Sequence, residues 1–148
     1  MDDREQLYFD DFALGDRFRS PGHTIGDAHF AFFAGLTGDN HPIHYDEEYA
    51  RQTRFGRRVA HGLLLMAMTA LGASPLSPRL ERSMIAFVEQ GCRFLRPVFL
   101  NDTIHTEFAV AGLEKKGARG VLRLAVTVLN QRGEAVVEGH HVYLLKCR

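Results

Sequence analysis

Val121-Leu122-Arg123-Leu124-Ala125-Val126-Thr127-Val128-Leu129 is the stretch on which the reading of the fold turns. Val121, Arg123, Ala125, Thr127 and Leu129 alternate with Leu122, Leu124, Val126 and Val128. A strand sends successive side chains to opposite faces, so the pattern predicts a strand over Arg119–Asn130. Met84–Phe99, Thr103–Glu114 and Glu134–Lys146 also read as strands. Asn101-Asp102, Lys116-Gly117 and Arg132-Gly133 supply the turns between them. Consecutive strands joined by short turns imply an antiparallel sheet.

The preceding half is helical. Asp27 to Thr37 reads as a helix capped by Asp27 and ended by Gly38, with Phe30, Phe33 and Ala34 on one face. A short helix, Asp46 to Gln52, is capped by Asp46, and Thr53 to Ala60 reads as a polar, basic loop. Gly62 to Leu71 is apolar on every side and free of β-branching up to Met68, which predicts a helix in the middle of the fold. Asp16 to Ile25 reads as an edge strand interrupted by Pro21-Gly22. A helical half followed by a meander is α+β, with one buried helix wrapped by a long antiparallel sheet.

Composition bounds the function. The chain has 148 residues and 45% apolar content, which suits a single domain over residues 1–148 with a real core. Its formal net charge is zero, so neither nucleic acid nor an anionic membrane surface is an expected partner. The acidic opening Met1-Asp2-Asp3-Arg4-Glu5 is not a signal peptide, and the longest apolar stretch falls far short of the roughly 20 residues of a membrane helix. Two cysteines, Cys92 and Cys147, lack metal-type spacing and suit a reducing cytoplasm.

Chemistry concentrates in Gly38-Asp39-Asn40-His41-Pro42-Ile43-His44-Tyr45-Asp46 and in His61-Gly62. An acid, Asp39, and a base, His44, share one loop stiffened by Pro42. An imidazole's ordinary pKa, about 6.5, lies near operating pH, which suits a general base. Gly62 opens the apolar helix, where free backbone N–H groups and the positive dipole end suit an oxyanion. Tight helix packing is an equally physical use of the same glycine. His61 suits an orienting or packing role. His41, His44 and His61 near Asp39 raise the question of a metal, but His41-x-x-His44 is a weak signature with no helix beneath it, and no metal is expected. Arg54, Arg57 and Arg58 form a basic cluster, as do Arg93 and Arg96; each either meets phosphates or forms a solvated face. Phe30, Phe32 and Phe33 read as core, and His140-His141 as strand neighbours on opposite faces.

Phe33-Ala34-Gly35-Leu36-Thr37-Gly38-Asp39-Asn40-His41-Pro42-Ile43-His44, followed by Phe55-Gly56-Arg57-Arg58-Val59-Ala60-His61-Gly62, resembles the MaoC-like dehydratases, the R-specific enoyl-CoA hydratase branch of the hot-dog fold. The opening Tyr8-Phe9-Asp10-Asp11-Phe12, Gly15-Asp16, and Arg93-Phe94-Leu95-Arg96-Pro97-Val98 before Asp102-Thr103 extend the likeness over nearly the whole chain. Two positions depart from the pattern. His41 stands where most members have Asn, and Ala67 where several have Ser.

The resemblance implies a helix wrapped by a five- to six-stranded antiparallel sheet, paired as a homodimer or higher homo-oligomer. It implies a lyase that adds water reversibly to a trans-2-enoyl-CoA to give a 3-hydroxyacyl-CoA, without a cofactor. Asp39 and His44 would be the catalytic pair, Gly62 the oxyanion donor, His41 and His61 supporting residues, and Arg54, Arg57 and Arg58 candidates for the coenzyme A phosphates. Two rivals remain: a hot-dog thioesterase, and a non-catalytic acyl-CoA-binding module.

Overall fold

The computed structural model describes residues 6–148; the acidic opening over residues 1–5 lies outside the described residues. Short strands β1 (Arg17–Arg19) and β2 (His23–Thr24) precede helices α1 (Asp27–Thr37), α2 (Glu47–Arg51) and α3 (Gly62–Ala67). Four long strands follow: β3 (Met84–Phe94), β4 (Thr103–Lys116), β5 (Arg119–Asn130) and β6 (Ala135–Lys146). They form one antiparallel sheet in the order β1-β4-β5-β6-β3, with β2 also on β4. The architecture is α+β, and the broken edge strand is split at Ser20-Pro21-Gly22, where proline cannot donate to a ladder.

The alternation in β5 sorts the faces. Leu122, Leu124, Val126 and Val128 are buried, whereas Arg123 and Ala125 on the other face are exposed. The core has two clusters. One joins Phe9, Phe12, Leu76 and Leu80 to the sheet through Phe108, Leu122, Leu124 and Leu145. The other seats α1 and α3 on the sheet, with Phe30, Phe33, Leu64 and Leu65 against Ile104, Val128, Val136 and Val137. Gly117 and Gly133 close the two long hairpins at φ +64° and +75°, a backbone region that glycine enters without strain.

Four details differ from the sequence-based expectation. Strand β3, expected to run through Phe99, ends at Phe94. Pro97 interrupts the ladder, and the segment beyond serves the loop before α3, with Ala60 N–H donating to the Val98 carbonyl at 2.7 Å. The apolar helix spans only Gly62–Ala67, and Leu63 on it is 59% exposed. Thr69 stops it: its hydroxyl donates to the Met66 carbonyl at 2.7 Å, a local bond that competes with the helical ladder. The N-cap of α1 is Gly26, whose N–H donates to His29 Nδ1 at 3.1 Å, while the expected cap Asp27 pairs with Arg58 at 2.7 Å. Phe32 points away from the core and is 77% exposed, unlike Phe30 and Phe33.

Candidate active site

The loop that follows α1 carries the acid and the base. Gly38 ends the helix at φ +77°, and its N–H donates to the Ala34 carbonyl at 2.7 Å. Thr37 Oγ1 accepts the Asp39 N–H at 3.2 Å, and Asp39 Oδ1 accepts the His41 N–H at 3.3 Å. Pro42 then starts a short 3-10 turn, Pro42–His44, with His41 as its cap: His41 Nδ1 accepts the Ile43 N–H at 3.2 Å. These local bonds leave the Asp39 carboxylate exposed and His44 half-buried.

His44 has a defined tautomer. Its Nδ1 lies 2.6 Å from the Val59 carbonyl, which can only accept, so Nδ1 carries the proton and Nε2 presents a lone pair. Arg58 holds the same residue from behind. Its Nε donates to the His44 carbonyl at 2.7 Å and its Nη2 meets Asp27 Oδ1 at 2.7 Å. The guanidinium also lies over the Phe30 ring at 5.5 Å. Arg58 is therefore committed inside the fold.

His61, at the start of α3, comes from a distant part of the chain to lie under His44. The ring centroids are 3.7 Å apart and the planes 24° from parallel. It is 2% exposed, and burial, with the neighbouring His44 adding to it, pushes its pKa below the ordinary imidazole value. Its Nδ1 is buried without a hydrogen-bond partner. Asp39, His44 and His61 offer ligand atoms within 4.8 Å of one another. Two imidazoles and a carboxylate are donors that a divalent ion accepts, and the same atoms are those that proton transfer would use.

Gly62 follows directly. The first N–H groups of α3 have no partner within the helix. A Cβ at Gly62 would stand 3.1 Å from the Phe94 ring, so the missing side chain is also a packing requirement. Beside it, Arg54, Phe55, Leu95 and Arg96 line a groove of about 370 Å³. Arg57 instead lies over the Phe99 ring at 3.8 Å. Of the basic cluster, Arg54 borders this groove, together with Arg96 from beyond β3. On the other side of α3, Phe32, Phe33, Leu36, Leu64, Ala67 and Met68 line an apolar hollow of about 430 Å³.

Tyr45 escaped the sequence reading. Its hydroxyl reaches the Asp39 carbonyl at 2.9 Å, His61 Nε2 at 2.8 Å and the Phe30 carbonyl at 3.3 Å. Burial raises its pKa, with Asp39 contributing. Only its place next to His44 could have singled it out. The other His pair divides as expected: His140 meets Glu89 at 2.6 Å on the surface, and His141 is buried.

The MaoC like domain model matches residues 11–131. Over 147 residues the chain is 32% identical to an (R)-specific enoyl-CoA hydratase from Rhodospirillum rubrum, covering 99% of this chain and 97% of that protein. It is 31% identical to a 3-hydroxybutyryl-CoA dehydratase from Methylorubrum extorquens, covering 89% of this chain and 83% of the relative. Among solved structures, a monoamine oxidase regulatory protein from Archaeoglobus superposes with TM-score 0.88 at 32% identity, over 98% of this chain and 97% of the other. A Mycobacterium tuberculosis protein with a double hot-dog fold, 24% identical, shares the fold at TM-score 0.79, over 97% of this chain and 45% of that one. With most of its length matched by one family model and nearly all of it by a relative of the same size, this hot-dog chain belongs to the MaoC-like dehydratase family.

Proposed function

We propose that the chain catalyses the reversible addition of water to a trans-2-enoyl-CoA thioester, giving a 3-hydroxyacyl-CoA. The observation that carries the reading is the His44 tautomer. The Val59 carbonyl, 2.6 Å away, holds the proton of the neutral ring on Nδ1 and leaves Nε2 to act as the acceptor, and the ring lies in one cluster with the Asp39 carboxylate. In hydration, a water bound between Asp39 and His44 attacks the β-carbon and gives up a proton to this pair. The α-carbon takes a proton, and the thioester oxygen, negative in the enolate-like transition state, lies against the first N–H groups of α3 at Gly62. Dehydration runs the same steps in reverse. Asp39 either holds the water or exchanges the second proton.

The rest of the site fits a thioester. The apolar hollow beside Ala67 offers room for an acyl chain, and the groove bordered by Arg54 and Arg96 offers cations to phosphates. His41 caps the turn that carries the base, which gives it a supporting role. No cofactor enters the scheme, and the reading suits an enzyme of the cytoplasm. No helix among the described residues is long and apolar enough to cross a membrane.

The assembly belongs to the proposal. In the sheet, β3 is a long terminal strand paired on one side only, by β6. Ile85, Phe87, Val88 and Phe94 on it are exposed, as are Leu95 just beyond and Leu63 on α3. An apolar edge of this kind is covered most simply by the same edge of a second copy about a twofold axis.

A panel of trans-2-enoyl-CoA thioesters of varied length and branching tests the function. Loss of enoyl absorbance with the thioester intact supports hydration. Release of free coenzyme A thiol identifies a thioesterase instead, and binding without turnover identifies a non-catalytic module.

A further inference from the structure

A proton count over Tyr45 and its neighbours assigns a role to a residue outside the Asp39–His44 pair. Tyr45 Oη has one proton. Two of its three neighbours are backbone carbonyls, at Asp39 (2.9 Å) and Phe30 (3.3 Å), and these only accept. The proton goes to the nearer one, Asp39. The third neighbour, His61 Nε2 at 2.8 Å, must then supply a proton of its own, since two lone pairs at that distance repel. The Asp39 carbonyl, 3.4 Å from the same Nε2, also faces it as an acceptor. His61 is thus the Nε2–H tautomer, which leaves Nδ1 bare, in keeping with its lack of a partner. Both imidazoles of the stack are fixed by one oxygen each: His44 by the Val59 carbonyl, and His61 by the Tyr45 hydroxyl.

We propose that Tyr45 is a positioning residue of the site. Its hydroxyl ties the Asp39 main chain to the His61 ring and so holds the carboxylate and the platform under His44 in one geometry. One hydroxyl reaches α1 at Phe30, the acid-bearing turn at Asp39 and the entry to α3 at His61, and adds directed hydrogen bonds where these elements otherwise meet mainly through ring packing. Without it, the Asp39 turn keeps its local bonds to Thr37 and His41 and the longer contact of its carbonyl with His61 Nε2 at 3.4 Å. Small displacements of a reacting group cost far more in turnover than in binding, because the chemical step needs the aligned geometry. The assignment rests on the hydratase reading only for its kinetic arm.

The test is Tyr45→Phe, which keeps the ring and removes the hydroxyl. Ring-nitrogen NMR of ¹⁵N-histidine-labelled protein reads the tautomers without substrate. His61 is expected as Nε2–H in the parent protein and as a tautomer mixture in Tyr45→Phe. On the best enoyl-CoA of the panel, kcat is expected to fall about tenfold with KM changed less than about threefold, the scale of a misaligned group. The pH profile of kcat should also move, because Asp39, His41, His61 and Arg58 all surround His44. A second pair guards against a folding artefact. His61→Gln keeps a donor for Tyr45 and should retain more turnover than His61→Phe, which keeps the ring stack alone. An unchanged His61 tautomer in Tyr45→Phe, or an unchanged kcat and pH profile, overturns the role of Tyr45. Release of free thiol, or binding without turnover, by the parent protein across the enoyl-CoA panel overturns the hydratase reading instead and leaves the NMR result to stand by itself.

Discussion

His61 lies face to face beneath His44, with ring centroids 3.7 Å apart, although the two residues stand on different segments. A neutral ring there supports the base without competing for its proton. Burial keeps His61 below the ordinary imidazole pKa, with His44 adding to the effect. Because the folded value is depressed, His61 opposes acidification: its contribution is present above the unfolded pKa and declines as pH falls below it.

Asp39→Asn and His44→Ala should each lower turnover by about 100-fold or more, the scale of a positioned acid or base. The pair shares one turn and one space, so the double mutant should be little worse than either single. Steady-state kinetics on the best enoyl-CoA checks this, and near-parental rates in both single mutants would remove the pair from the chemistry.

Gly62→Val keeps the backbone N–H but puts a side chain where the thioester must sit, and should cut turnover by about 100- to 1,000-fold, the scale of a lost oxyanion donor. A Cβ there meets the half-exposed Phe94 ring at 3.1 Å, so some loss of stability is also expected. Gly62→Val combined with Phe94→Ala separates the two effects. If relieving the clash restores both melting temperature and turnover, Gly62 is a packing residue only.

Metal removal should leave turnover unchanged. Dialysis against a strong chelator, followed by assay with and without added zinc, is the measurement. Loss of activity that zinc restores would make Asp39, His44 and His61 a ligand set.

Stability should fall with acid through His141. It is 1% exposed, with Nε2 at 3.0 Å from Thr69 Oγ1 and Nδ1 at 2.9 Å from the Tyr143 hydroxyl, and burial pushes its pKa down to about 4. The folded pKa lies below the unfolded value of about 6.5. The contribution is therefore complete above pH 6.5 and is lost as pH falls toward about 4. The shift corresponds to roughly 3 kcal/mol at full protonation. Denaturant unfolding between pH 7.5 and 4.5 should show the decline, and His141→Gln should flatten it. An equal slope in the variant would place the acid sensitivity elsewhere.

The protein should be a dimer at micromolar concentration by light scattering. Val88, 60% exposed on the free edge of β3, is the test position. Val88→Glu buries a charge if the edge is paired and should yield monomers with the sheet intact. A monomeric parent protein would contradict the pairing.

Where the determinants are local, the chain could be read directly. Helix α1 was legible through Phe30, Phe33 and Ala34 on one face and Gly38 after it, and β5 through its alternation. The cap of α2 was legible because Asp46 accepts the Tyr49 N–H at 2.9 Å, a bond within one turn. The acid, the base and Gly62 could be named as candidates from residue type and order. Arg58 was not legible as an internal tie, because its partners Asp27 and His44 lie on other segments. Tyr45 was missed for the same reason: an aromatic after a histidine carries no signal until its hydroxyl finds His61.

Local sequence thus specified the main helices and strands, the turns between them and the identity of the reactive groups. Each depends on the periodicity or backbone preference of a few adjacent residues. The fold in space decided the strand order, the tautomers of His44 and His61, and the stacking of one ring on the other. Those depend on which carbonyl, hydroxyl or ring arrives from a remote segment. Packing and hydrogen bonds act through distance in space, and the order of residues along a chain does not record that distance.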